Sequence, residues 1–379
     1  MRTIAIGAAG LGRAFSLMAS TLAADERVRL IAAADPRAEA RAQFQRDFGG
    51  RAYATVEELC ADTAVEMVYV ATPHQFHAEH ARLAFAAGKH ALVEKPMALS
   101  MEECRAMIDA ARAAGRYLVV GHSHSFDAPI RRTRELIASA TYGRLRMITA
   151  LNFTDFLYRP RRPEELETAR GGGTLYNQAP HHVDMVRLLA GARATRVRAH
   201  TGAWDAARPT EGAYSALVTF DDGVFATITY SGYAHFDSDE FCGWISEGGQ
   251  RKDPAAYGAA RRALRGDELQ LKNQRNYGGM QQPPVARGLL HQHFGVLIAS
   301  CEQADLRPLS DGVWIYGDRE KRFDALAAPQ VQRAEVIDEL YAAVVEGRPP
   351  LHDGEWAAAT MQVCLAMLRS AREQREIAL

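Results

Sequence analysis

Two short segments carry side chains that could move a proton. The first is Glu94-Lys95-Pro96, and the second is GGGTLYNQAPHHVD, which runs from Gly171 to Asp184. Both follow a glycine-rich turn near the start of the chain, GAAGLG. The turn alone indicates a nucleotide. A lysine and a histidine behind it indicate that a proton is handled beside a bound dinucleotide, as in a nicotinamide-dependent dehydrogenase.

Lys95 falls at the carboxyl end of a predicted strand, which is the edge where parallel sheets bind their ligands. Partly desolvated and close to a positive nicotinamide ring, it could accept a hydroxyl proton as hydride leaves the neighbouring carbon. The alternative is a surface ion pair with Glu94, which is common for a single lysine. The histidine segment favours the catalytic interpretation.

In that segment Pro180 predicts the start of a helix, with His181 in its first turn and Asp184 one turn on, on the same face. A histidine at a helix N-terminus is disfavoured as a cation, so it stays neutral and able to take a proton. Asn177, just before the helix, could orient a substrate hydroxyl, and the preceding glycines are predicted to form a flexible approach. A structural role for His181 is the alternative.

In the glycine-rich turn, Gly10 and Gly12 are the first two glycines of a G-x-G-x-x-G pattern whose third position is Phe15, which predicts a wider helix–strand contact. Asp35, at the end of the second predicted strand, could bind the ribose hydroxyls and repel a 2′-phosphate. This favours NAD, while Arg37 leaves NADP open; a plain turn role for Asp35 is the alternative. The residues predicted to bind the cofactor are Gly7, Gly10, Leu11, Gly12, Arg13, Asp35, Arg37, Thr72, Pro73, His77, Glu94 and Lys95.

The composition is that of a soluble globular protein, with 47% hydrophobic and 24% charged residues. A net charge of -1 gives no reason to expect nucleic acid or an acidic membrane as a partner. No signal peptide and no apolar stretch long enough to span a bilayer is recognisable. The five cysteines are scattered, which indicates reduced thiols and predicts a cytoplasmic protein.

A length of 379 residues suits two domains. Residues 1–121 alternate strand and helix, which predicts an α/β domain with a parallel, doubly wound sheet. Residues 122–379 predict an α+β domain, because Asp221-Asp222-Gly223 separates two alternating strands in a hairpin pattern. Within it, residues 250–290 are interpreted as a solvated loop in preference to a lid or subunit contact. The last helix, 355–375, is amphipathic and could pack back on the first domain.

The ordered set AGLG, Asp35, Thr72-Pro73, Glu94-Lys95-Pro96 and GGGxLxNxxxHxxD resembles the Gfo/Idh/MocA oxidoreductases over the whole chain. The resemblance implies a Rossmann domain, a second domain with a large, mostly antiparallel open sheet, NAD(P), and an active site between them. It implies proton-handling roles for Lys95 and His181. Asn177 stands where aspartate is usual and cannot ionise, so it can position a substrate but not act as a base.

Two further positions depart from the family pattern. Ala179 replaces a usual glycine, and Ser125 stands where arginine is frequent, so sugar-type contacts are not assumed. Because an open sheet with one exposed face usually needs covering, a homo-oligomer through the C-terminal sheet is expected.

More narrowly, GLGRAF, GHSHSFD, LNFTDFLYRPRRPEEL, RPTEGAYSAL and GYAHFDSDEF resemble bacterial phthalate cis-dihydrodiol dehydrogenases. The resemblance implies oxidation of one carbinol of a cis-dihydrodiol, followed by tautomerisation to a catechol. Such a substrate needs its carboxylates recognised, and at least one of Arg159, Arg161 and Arg162 is expected to do so. The alternative places these arginines on a solvated turn.

Several histidine pairs could suggest a metal site, but no carboxylate or cysteine accompanies them at ligand spacing, and no metal is predicted. The pairs are His74/His77, His122/His124, His181/His182 and His291/His293. His122 and His124, on one face of an extended segment at the domain junction, are predicted to line the substrate cleft.

Two other functions stay open. One is a sugar, cyclitol or hemiacetal dehydrogenase on the same scaffold, and the other is a regulator that senses NAD(P) without turnover. The combination of Lys95 and His181 argues against the regulator, because a sensor needs no proton acceptor at the nicotinamide.

Overall fold

The computed structural model of the chain describes residues 2–121, 123–279 and 289–379. These residues form two compact units. The first contains the described parts of Met1–His122, Leu269–Val285 and Val331–Met361. The second contains those of Ser123–Glu268, Ala286–Gln330 and Gln362–Leu379. The boundary near residue 122 matches the predicted one, but two later segments belong to the first unit and not to the second.

The first unit is built on a six-stranded parallel sheet, which confirms the doubly wound fold. Its strands are β1 (Ile4–Ala9), β2 (Val28–Ala34), β3 (Arg51–Tyr53), β4 (Met67–Val70), β5 (His90–Val93) and β6 (Leu118–Val120). The helices between them are α1 (Arg13–Ala24), α2 (Ala38–Phe48), α3 (Val56–Ala61), α4 (His77–Ala86) and α5 (Met101–Ala114). The order β3-β2-β1-β4-β5-β6 places β1 and β4 side by side at the point where the strand order reverses, where such sheets bind ligands.

The two helices and the strand between Asp35 and Met67 were not predicted from the sequence, although one signal for a helix start was present. Thr55 caps α3 by accepting a hydrogen bond from the Glu58 amide at 3.3 Å, and the Glu58 carboxylate accepts one from the Thr55 amide at 3.2 Å. This reciprocal capping box is a recognisable helix start. At the start of α5, Ser100 accepts the Glu103 amide in the same way at 3.1 Å.

Phe15, at the third position of the glycine pattern, is fully buried in an aromatic cluster of the first unit. Its ring lies 6.4 Å from Phe44 and 5.0 Å from Tyr277, the latter edge to face. A large side chain here therefore fills the space between α1, α2 and a segment distant in sequence. These partners do not lie on a strand, so the wider helix–strand contact stays a prediction.

The second unit is built on a nine-stranded, mostly antiparallel sheet, as expected. Its strands are β7 (Leu145–Phe153), β8 (Ala194–Gly202), β9 (Ala213–Phe220), β10 (Phe225–Ser231), β11 (Val296–Cys301), β12 (Ala304–Leu309), β13 (Gly312–Gly317), β14 (Lys321–Ala325) and β15 (Ile377–Ala378). The predicted hairpin is confirmed, because β9 and β10 pair antiparallel across Asp221-Asp222-Gly223. One pair, β7 with β10, is parallel.

The remaining α-helices, in chain order, are α6 (Ala128–Ala138), α7 (Gly173–Asn177), α8 (Ala179–Ala190), α9 (Ala259–Ala263), α10 (Glu268–Gln274), α11 (Ala334–Val344) and α12 (Gly354–Glu373). The last helix begins in the first unit and continues in the second from Gln362. None of the described helices combines the length and apolar character that crossing a bilayer requires.

Large apolar side chains stand exposed on the hairpin of the second sheet. Leu217 on β9 is 42% exposed and Phe225 on β10 is 38% exposed, while their strand neighbours alternate into the core. This is the surface through which a homo-oligomer is expected, and that expectation stays a prediction.

The interpretation of residues 250–290 as a solvated loop is wrong for much of the described part, which contains α9 and α10. Tyr277 is only 5% exposed, and its hydroxyl donates to Asp47 Oδ2 at 2.5 Å. Lys252 donates to the buried Asp239 at 2.8 Å. Both Tyr277 and Lys252 have partners outside this stretch, which a local composition cannot reveal. Residues 280–288 of this stretch lie outside the described part.

Candidate active site

The glycine-rich turn connects β1 to α1 with a backbone that only some residues tolerate. Gly10 has φ +89°, and a Cβ there would lie 2.9 Å from the Ala71 carbonyl oxygen at the end of β4. Gly12 precedes α1, and an added Cβ would meet only Ala71 O, at 4.0 Å. Glycine is thus required at the first position by the close packing of two strand ends. At the second position the space left open fits the approach of a pyrophosphate to the amino end of α1, which Arg13 begins.

Asp35 lies 5% exposed at the end of β2, and its carboxylate is engaged within the unit. It accepts the Leu11 amide at 2.8 Å and both the amide and Nε of Arg37, each at 2.9 Å. The Arg37 guanidinium also donates to Leu11 O at 2.7 Å. Asp35 therefore fixes the glycine-rich turn as well as lying at the predicted ribose position. The Leu11 amide donates to Asp35, and the predicted contact of Leu11 with the cofactor stays a prediction.

Glu94 and Lys95 follow β5 directly and face different environments. Glu94 is 7% exposed, and its carboxylate accepts a hydrogen bond of 2.6 Å from the buried Tyr69 hydroxyl. Burial raises the pKa of Glu94 above its ordinary value. Lys95 is half-buried. The surface ion pair proposed as the alternative role of Lys95 needs an exposed Glu94, and the structure buries that carboxylate. The predicted contact of Glu94 with the cofactor stays a prediction.

His77, predicted to bind the cofactor, is fully buried and contacts the backbone that follows β4 and β5. Its Nδ1 lies 2.8 Å from Pro96 O, and its Nε2 lies 2.9 Å from Thr72 O. Both ring nitrogens thus contact backbone next to predicted site residues, Lys95 on one side and Thr72-Pro73 on the other. The ring has no accessible part in this structure, and the predicted contact of His77 with the cofactor stays a prediction. His77 is a residue that positions the Lys95 turn.

Burial lowers the pKa of His77 to about 4, while its two carbonyl partners act in the opposite direction. The unfolded chain protonates His77 near pH 6.5, whereas the folded chain does so only near pH 4. We therefore expect the free energy of unfolding to fall as pH decreases from about 6.5 to 4. His77 should contribute about 3 kcal/mol to that loss. Denaturant unfolding of the protein and of His77→Gln at several pH values measures it. The stability of the variant should depend less on pH than that of the parent protein. An equal dependence would mean that the two carbonyls keep the His77 imidazole protonated in the folded chain.

In the second unit, the glycine segment is tightly packed, so the prediction of a flexible approach is wrong. Gly171 and Gly173 have φ of +83° and +77°, and α7 starts at Gly173. A Cβ on Gly173 would overlap the Glu211 carboxylate, which is 5% exposed and accepts the Leu175 amide at 3.1 Å. Burial raises the pKa of Glu211 above its ordinary value. The glycines are needed because a buried carboxylate occupies the space beside them.

We expect Gly173→Ala to lower the free energy of unfolding by about 2–4 kcal/mol, since it adds both backbone strain and a clash with Glu211. Gly223→Ala is the matched control. Gly223 has φ +87°, but nothing lies within 4 Å of its added Cβ, so only the strain of about 1–2 kcal/mol remains. Denaturant midpoints of the two variants and the parent compare these costs. Equal losses would show that the packing against Glu211 contributes nothing.

Asn177 ends α7, and its amide nitrogen donates to two carbonyls of the glycine segment, Gly171 O at 3.2 Å and Gly173 O at 2.8 Å. The side chain is 7% exposed. Its amide nitrogen therefore holds the segment that precedes His181. The predicted role in orienting a substrate hydroxyl stays a prediction.

His181 lies in the first turn of α8, as the proline predicts, and is 8% exposed. Its ring centroid lies 4.8 Å from that of His124 and 4.8 Å from that of Phe294. Asp184, one turn on, accepts hydrogen bonds from the Ser123 and Ser125 hydroxyls, the latter at 2.5 Å. The Asp184 carboxylate thus fixes the turn that carries His124 against α8.

His124 is paired with Asp127, a residue that the sequence analysis did not select. The segment is a 3₁₀ turn, His124–Phe126, and not the extended strand predicted. His124 Nδ1 lies 2.6 Å from Asp127 Oδ2, and both side chains are buried. His122, predicted alongside it, lies outside the described residues. A histidine followed three residues later by an aspartate is too common a pattern to have been chosen from sequence alone.

The three arginines of the predicted carboxylate site have different surroundings. Arg159 lies in a charged group, 2.7 Å from Asp155 and 3.3 Å from Glu247. Burial would raise the pKa of Glu247, but Arg159 and His124 lower it below the ordinary value. Glu247 is a second residue that sequence reasoning missed. It connects Arg159 electrostatically with the His124–His181 pair.

Arg161 and Arg162 interact with other groups of the protein. Arg161 stacks 3.7 Å from the Phe156 ring centroid and donates to Phe156 O at 2.6 Å. Arg162 pairs with Glu164 at 3.2 Å. Among the described side chains, no three His, Cys, Asp or Glu residues gather closely enough to hold a metal ion. The site residues of the second unit thus combine histidines, carboxylates and Arg159.

Two family profiles match the chain. The profile described as oxidoreductase family, NAD-binding Rossmann fold, matches residues 4–122. The profile described as GFO/IDH/MocA C-terminal domain matches residues 130–248. The first range contains Lys95. The second range contains most of α6, together with Arg159 and His181.

Individual relatives agree with these profiles. The 1-carboxy-3-chloro-3,4-dihydroxycyclohexa-1,5-diene dehydrogenase of Comamonas testosteroni is 48% identical, over 97% of this chain and 95% of the relative. A protein of known crystal structure from Bordetella bronchiseptica RB50 is 42% identical, with a TM-score of 0.94 over 100% of both chains. Aldose-aldose oxidoreductase from Caulobacter crescentus, at 21% identity and a TM-score of 0.76 over 100% of both chains, is similar in fold alone.

Proposed function

This chain belongs to the Gfo/Idh/MocA family of oxidoreductases, and on that premise we propose that it oxidises a carboxylated cis-dihydrodiol to a catechol. The family makes it a nicotinamide-dependent dehydrogenase. The proposed substrate is a cyclohexadiene that carries two neighbouring hydroxyls and at least one carboxylate, with the phthalate-type dihydrodiol as the first candidate. The name of the Comamonas testosteroni relative, which specifies a carboxyl and two hydroxyls on such a ring, supports this choice.

Two residues are proposed to handle the hydroxyl proton. The nicotinamide, when bound, accepts the hydride from one carbinol carbon. Lys95, at the carboxyl end of β5, and His181, in the first turn of α8, are the proposed acceptors of the proton that the same hydroxyl loses. His77 supports the Lys95 turn, and the packed glycine segment supports α8, so both acceptors rest on rigid backbone.

The observation that carries the proposal is the position of Arg159. Arg159 pairs with Glu247 at 3.3 Å, and Arg159 and His124 both lower the pKa of Glu247. Its side chain is 28% exposed, so it can exchange a protein carboxylate for a ligand carboxylate. A forked guanidinium suits that recognition. We therefore assign the substrate carboxylate to Arg159.

The cofactor is proposed to be NAD. Asp35 lies at the ribose position of the Rossmann pattern, and a carboxylate there opposes a 2′-phosphate. Arg37 holds that carboxylate in the present structure, so NADP is the alternative, with Arg37 turned toward the phosphate. The ratio of kcat/KM for the two cofactors distinguishes them.

The deciding experiment follows NADH formation with the cis-4,5-dihydrodiol of phthalate, with myo-inositol and glucose as controls. Turnover of the dihydrodiol alone, with a catechol as product, supports the proposal. Turnover of a polyol alone would keep Lys95 and His181 as candidate acceptors but replace the substrate class by a sugar or cyclitol.

A further inference from the structure

The proposed reaction needs a second proton acceptor. Oxidation of one carbinol leaves a ring ketone beside a second carbinol carbon, which still carries a hydrogen. The ring becomes aromatic only when that C–H proton leaves and the ketone oxygen gains a proton. Lys95 and His181 are already assigned to the hydroxyl proton of the first step. This inference rests on the proposed function and concerns the second step.

His124 and Asp127 have the arrangement of an oriented base. The carboxylate of Asp127 lies 2.6 Å from His124 Nδ1, so a neutral imidazole carries its proton on Nδ1 and its basic lone pair on Nε2. Asp127 is the N-cap residue of α6, a position where carboxylates usually accept a helix amide. Its carboxylate makes no such capping bond and turns to His124 instead. The Asp127 carboxylate thus orients the His124 imidazole and does not cap the helix.

The surroundings of His124 place it beside the predicted proton acceptor of the same unit. Its ring lies 4.8 Å from His181 at an angle of 63°, and it stacks on Phe294 at 5.1 Å. Asp127 and His181 contact it, and His124 in turn lowers the pKa of His182 and of Glu247. His124 and His181 are both buried, at 7% and 8% exposed. Two imidazoles at this distance can address neighbouring carbons of one ring.

His182 does not compete for this role. It is fully buried, its Nδ1 lies 2.8 Å from the Tyr214 hydroxyl, and burial lowers its pKa to about 3. It packs against Phe294 and the two tyrosines of the sheet, Tyr214 and Tyr230. His182 therefore lies on the buried face of α8, in the core.

We infer that His124, oriented by Asp127, is the base that aromatises the oxidised ring. The C–H bond of the second carbinol carbon breaks, and His124 Nε2 takes the proton. The electron pair of that bond becomes a ring double bond, and the ketone oxygen takes back the proton removed in the first step to become a catechol hydroxyl. No further oxidant is needed, because the two-electron oxidation is already complete.

The test separates the two steps in time. Single turnovers with excess enzyme, NAD and the cis-4,5-dihydrodiol of phthalate are followed by rapid scanning, with NADH and catechol absorbance resolved. In the parent protein the two signals should rise together. In His124→Gln, which keeps an N–H toward Asp127 but has no basic nitrogen, NADH should form within about 10-fold of the parent rate, while catechol lags by about 10²-fold or more.

Three comparisons complete the test. Asp127→Asn should produce a lag of the same kind, because it favours the wrong imidazole tautomer. It also replaces His124→Gln if that variant does not fold. His200→Gln, at an exposed histidine on β8, is the control without a lag. Deuterium on the second carbinol carbon should lengthen the catechol lag of His124→Gln and leave NADH formation unchanged.

The outcomes are distinguishable. Coincident NADH and catechol signals in both His124→Gln and Asp127→Asn would overturn the role of His124 and leave the proposed function in place. Absence of NADH in the parent protein would overturn the proposed function itself, and the inference with it. Titration of 4,5-dihydroxyphthalate into the cofactor-free variants checks, independently of turnover, that the site still binds product.

Discussion

Replacing Lys95 by methionine is expected to lower kcat by about 10²–10⁴-fold, the usual worth of a positioned proton acceptor. The side chain follows β5 at the carboxyl edge of the sheet, and methionine keeps most of its length without its amine. Binding of the dinucleotide should persist, since the glycine-rich turn and Asp35 are untouched. Steady-state kinetics with the dihydrodiol, together with NADH binding followed by fluorescence, measure the two effects separately.

The chain supplies a matched control for this prediction in Lys89, which immediately precedes the same strand. Lys89 is 5% exposed, and its amine donates to Asp62 O at 2.8 Å and Val65 O at 2.7 Å. Lys89→Met should therefore reduce stability and keep kcat. Loss of turnover in Lys89→Met but not in Lys95→Met would contradict the assignment, because ligands bind at the opposite edge of a parallel sheet.

The second large effect is expected at Arg159. Arg159→Met should raise KM for the carboxylated dihydrodiol by about 10–100-fold, which corresponds to a lost charge-assisted hydrogen bond. A cis-dihydrodiol without a carboxylate should show no such loss, since Arg159 then has no ligand group to meet. Steady-state kinetics with both diols provide the comparison.

Arg162→Met is the control for this change, because Arg162 is 32% exposed and pairs with Glu164 and Glu165. It should leave KM unchanged for both diols. Arg159→Lys should recover part of the affinity, because it restores the charge without the fork. An unchanged KM in Arg159→Met would remove the carboxylate assignment, whereas equal losses with both diols would indicate that Arg159 only positions Glu247.

The architecture was predictable because it depends on local patterns. Buried apolar runs, helix starts such as Ser100 and the Asp221-Asp222-Gly223 turn each act within a few residues, and together they predict both sheets. The segments Leu269–Val285 and Val331–Met361 were placed in the wrong unit for the opposite reason. What holds Tyr277, for example, is Phe15 and Asp47, more than 200 residues away.

The sequence by itself determined the fold class, the glycine-rich turn, and the two candidate proton acceptors, because strand ends and helix starts can be read from neighbouring residues. Tertiary structure alone decided which side chains are available to act. It buried His77 between two carbonyls and Glu94 against Tyr69, and it packed the glycines against Glu211. It also brought Asp127, Glu247 and Phe294 to His124 and His181. Burial and hydrogen-bond partners arise from chain segments far apart in sequence, so only the folded chain could assign these roles.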